Sequence, residues 1–227
     1  MPGAIVIGAG PGIGTSVARR FAREGLAVTV LARSRPTVDR ALAALAQAPG
    51  ETLGLTVDVT DEARLRAALD EAVDRFGTPE VVVYNAALIQ SDVPGELTAG
   101  QHLEAWAVNV VGAITAIAHL APAMIEAGEG TILLTGGMPE PNPQVTSLSL
   151  GKAGVRALAE LLARAYEPGG VHVATVTVAG AVAPGSAFDP DAIAEEYWRL
   201  HAQPAGSWER QVLYGPRPAP PGVEAAG

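Results

Sequence analysis

Ala4-Ile5-Val6-Ile7-Gly8-Ala9-Gly10-Pro11-Gly12-Ile13-Gly14-Thr15 sets a short apolar run against four spaced glycines, with a helical pattern following at once. The run has the length and Val/Ile content of a strand buried on both faces. From Ile13 to Glu24, apolar residues recur at helical spacing. Strand, glycine turn and helix together give the pattern its meaning. A turn without Cβ atoms lets backbone approach a phosphate closely, and free N–H groups at the helix start attract its charge.

Outward from this unit the same alternation repeats. Strands are expected at Ala4–Ile7, Ala27–Leu31, Leu53–Val57, Val81–Tyr84, Thr131–Thr135, Val171–Val178 and Gln211–Tyr214. Helices are expected at Ile13–Glu24, Thr37–Ala48, Asp61–Phe76, Gln101–Ala127, Val145–Tyr166 and Asp189–His201. Asp61 and Asp189 suit helix starts, and Gly25, Gly77 and Gly128 suit stops. The pattern predicts an α/β fold: a Rossmann-type, doubly wound three-layer sandwich around a seven-stranded parallel sheet. Residues 1–215 form one domain in this reading, with a segment near 187–208 placed as a lid. The last residues, 216–227, are Pro-rich and expected to be extended.

Composition narrows the function. Hydrophobic residues make up 48% of the 227, but aromatics only 4%, so the core must be aliphatic. With no cysteine, thiolate catalysis and thiolate metal sites are excluded; no metal site is expected. A net charge of −9 without a Lys/Arg cluster argues against nucleic acid. No segment reads as a signal peptide or membrane span, so a cytoplasmic protein without a membrane partner is expected.

The residues closing the second strand decide which dinucleotide suits the turn. A carboxylate there would bond the ribose and repel a 2′-phosphate. The chain instead reads Leu31-Ala32-Arg33-Ser34-Arg35, which favours NADP over NAD, with Arg33 as the phosphate ligand.

With several separated motifs in hand, the chain resembles a short-chain dehydrogenase/reductase from Ala4 to Tyr214. The resemblance implies cofactor contacts at Gly8, Gly10, Gly12, Ile13, Gly14, Arg33, Asp58, Val59, Asn85, Ala86, Lys152, Gly180 and Val182. Asp58-Val59 resembles the pair that touches adenine, and Asn85-Ala86-Ala87 resembles the family's Asn-Ala-Gly segment. Asn109 matches the helix asparagine of the proton relay. Lys152 matches the lysine that binds ribose and lowers the pKa of a catalytic tyrosine.

That tyrosine position, four before Lys152, is Leu148, and the serine position at the end of the fifth strand is Gly137. Leucine cannot exchange a proton. Tyr166 lies more than three helical turns beyond Lys152, and Tyr84 is expected to pack beside the cofactor. Thr135, Ser147 and Ser149 remain as weak substitute hydroxyls, together with Lys152 itself if burial lowers its pKa. Pro184 stands where relatives often carry threonine. In the lid segment Phe188, Tyr197, Trp198, His201 and Trp208 are read either as substrate contacts or as packing.

The expected function is an NADP(H)-dependent oxidoreductase with a degenerate site, acting on an activated small carbonyl. Two alternatives stand beside it: a non-catalytic NAD(P)-binding or regulatory protein, and elimination or isomerisation in the same pocket. A homodimer or homotetramer is implied by the resemblance.

Overall fold

The computed structural model describes residues 3–215; the Pro-rich stretch 216–227 lies outside them. Seven strands form one parallel sheet: β1 (Gly3–Ile7), β2 (Ala27–Ala32), β3 (Thr52–Thr56), β4 (Val81–Tyr84), β5 (Gly130–Gly137), β6 (Val171–Val178) and β7 (Gln211–Tyr214). Their order is β3-β2-β1-β4-β5-β6-β7, so the chain winds one way from β1, then returns to continue on the other side through β4. That reversal opens a crevice at the carboxyl ends of β1 and β4, where open α/β sheets bind ligands.

Seven α-helices cover the sheet: α1 (Ile13–Arg23), α2 (Arg35–Leu45), α3 (Glu62–Phe76), α4 (Ala99–Trp106), α5 (Gly112–Ala127), α6 (Thr146–Tyr166) and α7 (Pro190–His201). Strand alternation sorts the core into two layers. Val6, Val28, Val30 and Leu133 face Phe21 of α1, Val38 of α2 and Tyr197 of α7. Ile5, Ile7, Val82 and Leu134 face Leu69 of α3, Ile117 of α5 and Val155 of α6. The central strands β1, β2, β4, β5 and β6 bury both faces, which is why the sequence is rich in Val, Ile and Leu there, whereas the edge strands β3 and β7 stay partly exposed.

Asp61 and Asp189 cap α3 and α7, accepting from Arg64 N and from Asp191 N respectively. Gly25, Gly77 and Gly128 leave their helices at positive φ, where an L side chain is strained. The expected helix Gln101–Ala127 is two helices joined by a π-helical turn, Ala107–Val111. The resulting run Ala99–Ala127 also corrects the expectation about membrane spans. It is long and apolar enough to cross a bilayer by length and composition, yet 56% of its apolar window is buried inside the fold. β5 extends two residues past the expected Thr135, through Gly136 and Gly137. A Cβ on Gly136 would meet Thr177 Oγ1 at 2.4 Å, so β5 and β6 approach closely only because that side chain is missing.

Candidate functional site

The glycine turn sits over the crevice, held from both sides. Gly8 N and Ala9 N donate to Leu31 O of β2 at 2.8 and 3.0 Å. Across the crevice Asn85 Nδ2 donates to Gly8 O at 2.7 Å, tying the end of β4 to the end of β1. The glycines then divide into two kinds. A Cβ on Gly8 would lie 2.3 Å from Ala86 N, and one on Gly14 would lie 2.2 Å from Gly8 O. These two pack protein against protein. Gly10 has nothing within 4 Å of its missing Cβ, and Gly12, at φ +105°, has Val182 Cγ1 at 3.9 Å. The outer pair leaves backbone open to a ligand.

α1 begins at Ile13 without a side-chain cap, so its first N–H groups are available to an anion. Beside the turn a cavity of about 380 Å³ is bounded by Gly12, Thr15, Arg19, Arg40 and Pro184. Bare backbone, an uncapped helix start and adjacent space fit a dinucleotide pyrophosphate.

At the end of β2, Arg33 is exposed and makes no ion pair among the described residues, whereas Arg35 pairs with Asp39 at 2.8 Å. Of the two arginines, Arg33 is the one free to take a phosphate. Asp58 Oδ1 accepts from Thr60 N and Thr60 Oγ1 at 2.9 and 2.7 Å; these bonds, with Arg33 nearby, hold its carboxyl below the usual range. Val59 lies against Gly112, and Ala86 backs Gly8.

The other end of the crevice centres on Thr135. Its hydroxyl donates to Asn85 Oδ1 at 2.8 Å and meets Tyr197 OH at 2.6 Å. Its carbonyl accepts from Lys152 Nζ at 2.8 Å. Lys152 is buried, and that desolvation, reinforced by the Arg156 guanidinium, pulls its pKa down to about 8. Gly137 stands beside it with room: a Cβ there would come no nearer than 3.7 Å to any neighbour. Leu148 is buried on the helix face one turn before Lys152.

The substitute hydroxyls are all engaged. Besides Thr135, Ser147 Oγ donates to Asp92 Oδ1 at 2.8 Å, while Ser149 Oγ accepts from Asn142 N at 3.0 Å and donates to Asn142 O at 3.2 Å. Asn109 lies in the π-helical turn and bonds the following wall of the crevice, accepting from Leu88 N at 2.9 Å. Gly151 allows this approach, since a Cβ there would lie 2.7 Å from Asn109 Cβ.

Several expectations at this end need correction. Of the two readings of the aromatic face of α7, packing is the one the contacts support. Tyr197 is fully buried, Trp198 and His201 stack edgewise on Phe21, and Arg20 lies 4.9 Å above the Trp198 ring. His201 Nδ1 reaches Thr131 Oγ1 at 3.0 Å, near the amino end of β5 and away from the crevice. Within the connection 179–189 between β6 and α7, Val182 approaches the glycine turn, its Cγ1 3.9 Å from the missing Cβ of Gly12. Phe188 fills the space a side chain at Gly180 would need, at 2.2 Å, so that glycine serves packing. Tyr84 donates to Val108 O at 2.6 Å, and burial pushes its phenol well above the ordinary value.

Two residues and one pairing escaped the sequence reading. Asp92, almost fully buried, accepts from Ser147 N at 2.9 Å and so caps α6 from another loop. Arg156 donates to Gly137 O at 2.6 Å and Met138 O at 3.1 Å. Tyr197 reaches Thr135 across 62 residues. One count pointed at the site: Lys152 is the sole lysine of the chain, against fourteen arginines. Among the described residues no three His, Asp or Glu side chains gather to hold a metal.

Comparison with known proteins identifies the family and the fold. The short chain dehydrogenase family profile matches residues 3–187. Glucose 1-dehydrogenase 2 of Bacillus subtilis is 32% identical over 195 residues, covering 81% of this chain and 70% of the relative. Cis-4-hydroxycyclohexanecarboxylate dehydrogenase of Sinomonas cyclohexanicum is 33% identical over 192 residues, 82% of this chain and 74% of that one. Among solved structures, a metagenomic short-chain oxidoreductase in complex with NADP superposes with a TM-score of 0.85 at 26% identity, covering 93% of this chain and 96% of its own. An NAD+-bound xylitol dehydrogenase superposes with a TM-score of 0.76 at 25% identity, covering 81% of this chain and 72% of its own.

Proposed function

This chain belongs to the short chain dehydrogenase family, whose members use NAD(P), and from that premise we propose that it is an NADP(H)-dependent oxidoreductase with an altered proton-donating site. The observation that carries the reading is Lys152: a buried ammonium fixed on Thr135 O, in the crevice that the glycine turn opens. Gly10, Gly12 and the start of α1 would hold the pyrophosphate, and Arg33 the 2′-phosphate. Asn85 and Lys152 would flank the ribose next to the nicotinamide. When bound, the cofactor supplies hydride; the protein's task is to place the substrate and stabilise the oxygen that gains charge.

Leu148 and Gly137 put neither phenol nor hydroxyl at the positions where relatives are expected to carry them. A substrate that spreads its own developing charge needs that pair least, so we assign an activated small carbonyl as the substrate class. The exposed apolar residues Leu103, Trp106 and Ile114 on the α4–α5 run, with Leu150 and Leu161 on α6, support self-association as a dimer or tetramer.

The engagement of Thr135, Ser147 and Ser149 in internal bonds favours one other reading, a protein that binds NAD(P) without turning it over. The test separates the two. Purified protein is titrated with NADPH and NADH by nucleotide fluorescence, and the complex is then offered a panel of activated carbonyls. Consumption of NADPH supports the oxidoreductase; tight binding without consumption across the panel supports the second reading. Failure to bind either nucleotide overturns both.

A further inference from the structure

We propose that Arg156 is a positioning residue of this site, gripping the turn after β5 so that Lys152 is presented as the group that gives a proton to the substrate oxygen. The inference rests on the oxidoreductase reading above and deepens it.

Lys152 and Arg156 are four residues apart, so they lie on the same face of α6. Together they take three carbonyls from the end of β5: Lys152 holds Thr135 O, and Arg156 NH1 holds Gly137 O and Met138 O. Met138, at φ +48°, is the one non-glycine residue at positive φ among the described residues. Such a conformation persists only where its surroundings impose it. Here the guanidinium supplies the constraint, on the turn that begins at Gly137. Arg156 is half-buried, bonded to these two carbonyls, and makes no ion pair among the described residues.

The same charge acts on Lys152. Burial is the larger influence on that ammonium, and among the described residues Arg156, from its own helix, is the only charged group that bears on it; β5 contributes the Thr135 carbonyl. Both influences favour loss of a proton, leaving a group that titrates at about 8, suited to proton transfer near neutral pH. An ammonium has three N–H donors, and Thr135 O takes one. The other two remain for ribose and substrate. In the reduction, NADPH when bound would supply hydride to the carbonyl carbon, and the C=O π pair would become the bond to a proton leaving Lys152 Nζ. The products are the alcohol, NADP+ and a neutral Lys152, which regains its proton from water.

Because Lys152 is the sole lysine, protein labelled with carbon-13 at the lysine ε-carbon shows one resonance that needs no assignment. Its titration, without cofactor, is expected near 8 in the natural protein. In Arg156→Met it is expected to move upward by roughly half a unit or more, because a repelling charge is gone. Arg156→Gln keeps a donor for the carbonyls without the charge; it should shift the midpoint likewise and serves if the methionine variant fails to fold. With a substrate, the alkaline limb of kcat should move with the resonance, which a merely structural arginine would not cause. An ordinary lysine midpoint in the natural protein, an unmoved midpoint in the foldable variants, or a kcat limb that ignores the shift overturns the proposal. Failure of NADPH to bind would instead overturn the oxidoreductase reading, and the titration would still be read independently.

Discussion

Tyr197 OH in α7 and Thr135 Oγ1 at the end of β5 lie 2.6 Å apart, and the direction of their bond is set by its neighbour. Asn85 turns Nδ2 toward Gly8 O, so its Oδ1 faces Thr135 and can only accept. Thr135 therefore spends its single proton on Asn85, and Tyr197 must donate to Thr135. A directed chain thus runs from a core helix through Thr135 and Asn85 to the glycine turn.

Removing only the hydroxyl tests that chain. Tyr197→Phe keeps the ring in the core but leaves Thr135 Oγ1 without its donor. Stability should fall by about 1 kcal/mol, read from urea denaturation, with nucleotide affinity reduced because Asn85 is less firmly oriented. Unchanged stability and affinity would show that the chain orients nothing.

The two kinds of glycine should respond differently. Gly8→Ala places a Cβ 2.3 Å from Ala86 N at a positive φ, so it should unfold or strongly destabilise the protein. Gly10→Ala meets no protein atom and should leave the melting temperature nearly unchanged while weakening NADPH binding. Equal losses of stability in both would contradict the view that Gly10 faces a ligand.

Arg33 is expected to set nucleotide choice. Arg33→Ser should weaken NADPH by about tenfold, the loss of a charge-assisted pair, and leave NADH nearly unaffected. Arg35→Ser, whose guanidinium already pairs with Asp39, should change neither much. Fluorescence titration of both nucleotides against both variants decides this, and equal losses for NADPH and NADH would count against a 2′-phosphate contact.

The vacant positions invite restoration. Gly137 has space for a serine side chain, and Leu148 lies one helical turn before Lys152. The double variant Gly137→Ser/Leu148→Tyr should raise turnover of simple ketones by roughly a hundredfold, the usual scale of general acid catalysis. No gain in a folded variant that binds NADPH would show that more than these two groups separates this site from carbonyl reduction.

Acid should destabilise the fold through its histidines. His172 is almost fully buried, and burial lowers its pKa; burial also lowers that of His201, with His172 adding to the effect. Both folded values lie below 6.5, the unfolded one. Between folded and unfolded values the unfolded chain binds more protons, so stability rises with pH there. The contribution is complete above about 6.5 and is lost as pH falls through the folded values. Melting temperatures from pH 7.5 to 5 should drop over this window, and the drop should shrink in His172→Gln.

Sequence alone determined the elements and the nucleotide turn, because these depend on local chemistry: the β1–turn–α1 unit, the Val/Ile/Leu-rich central strands and the caps at Asp61 and Asp189 need only neighbours in the chain. Through the family resemblance it also marked Lys152, Leu148 and Gly137. What it left open were contacts between distant segments. Whether Tyr197 and His201 faced a substrate or the core depended on α7 packing against α1, since an apolar helical face reads the same in either place. Thr135, Ser147 and Ser149 carried free hydroxyls in the sequence, and only the tertiary structure supplied Tyr197, Asp92 and Asn142 to engage them. Arg156 looked like any helix cation until the fold brought Gly137 O and Met138 O to it. Hydrogen bonds of this kind are decided by where the backbone passes, which no local pattern records.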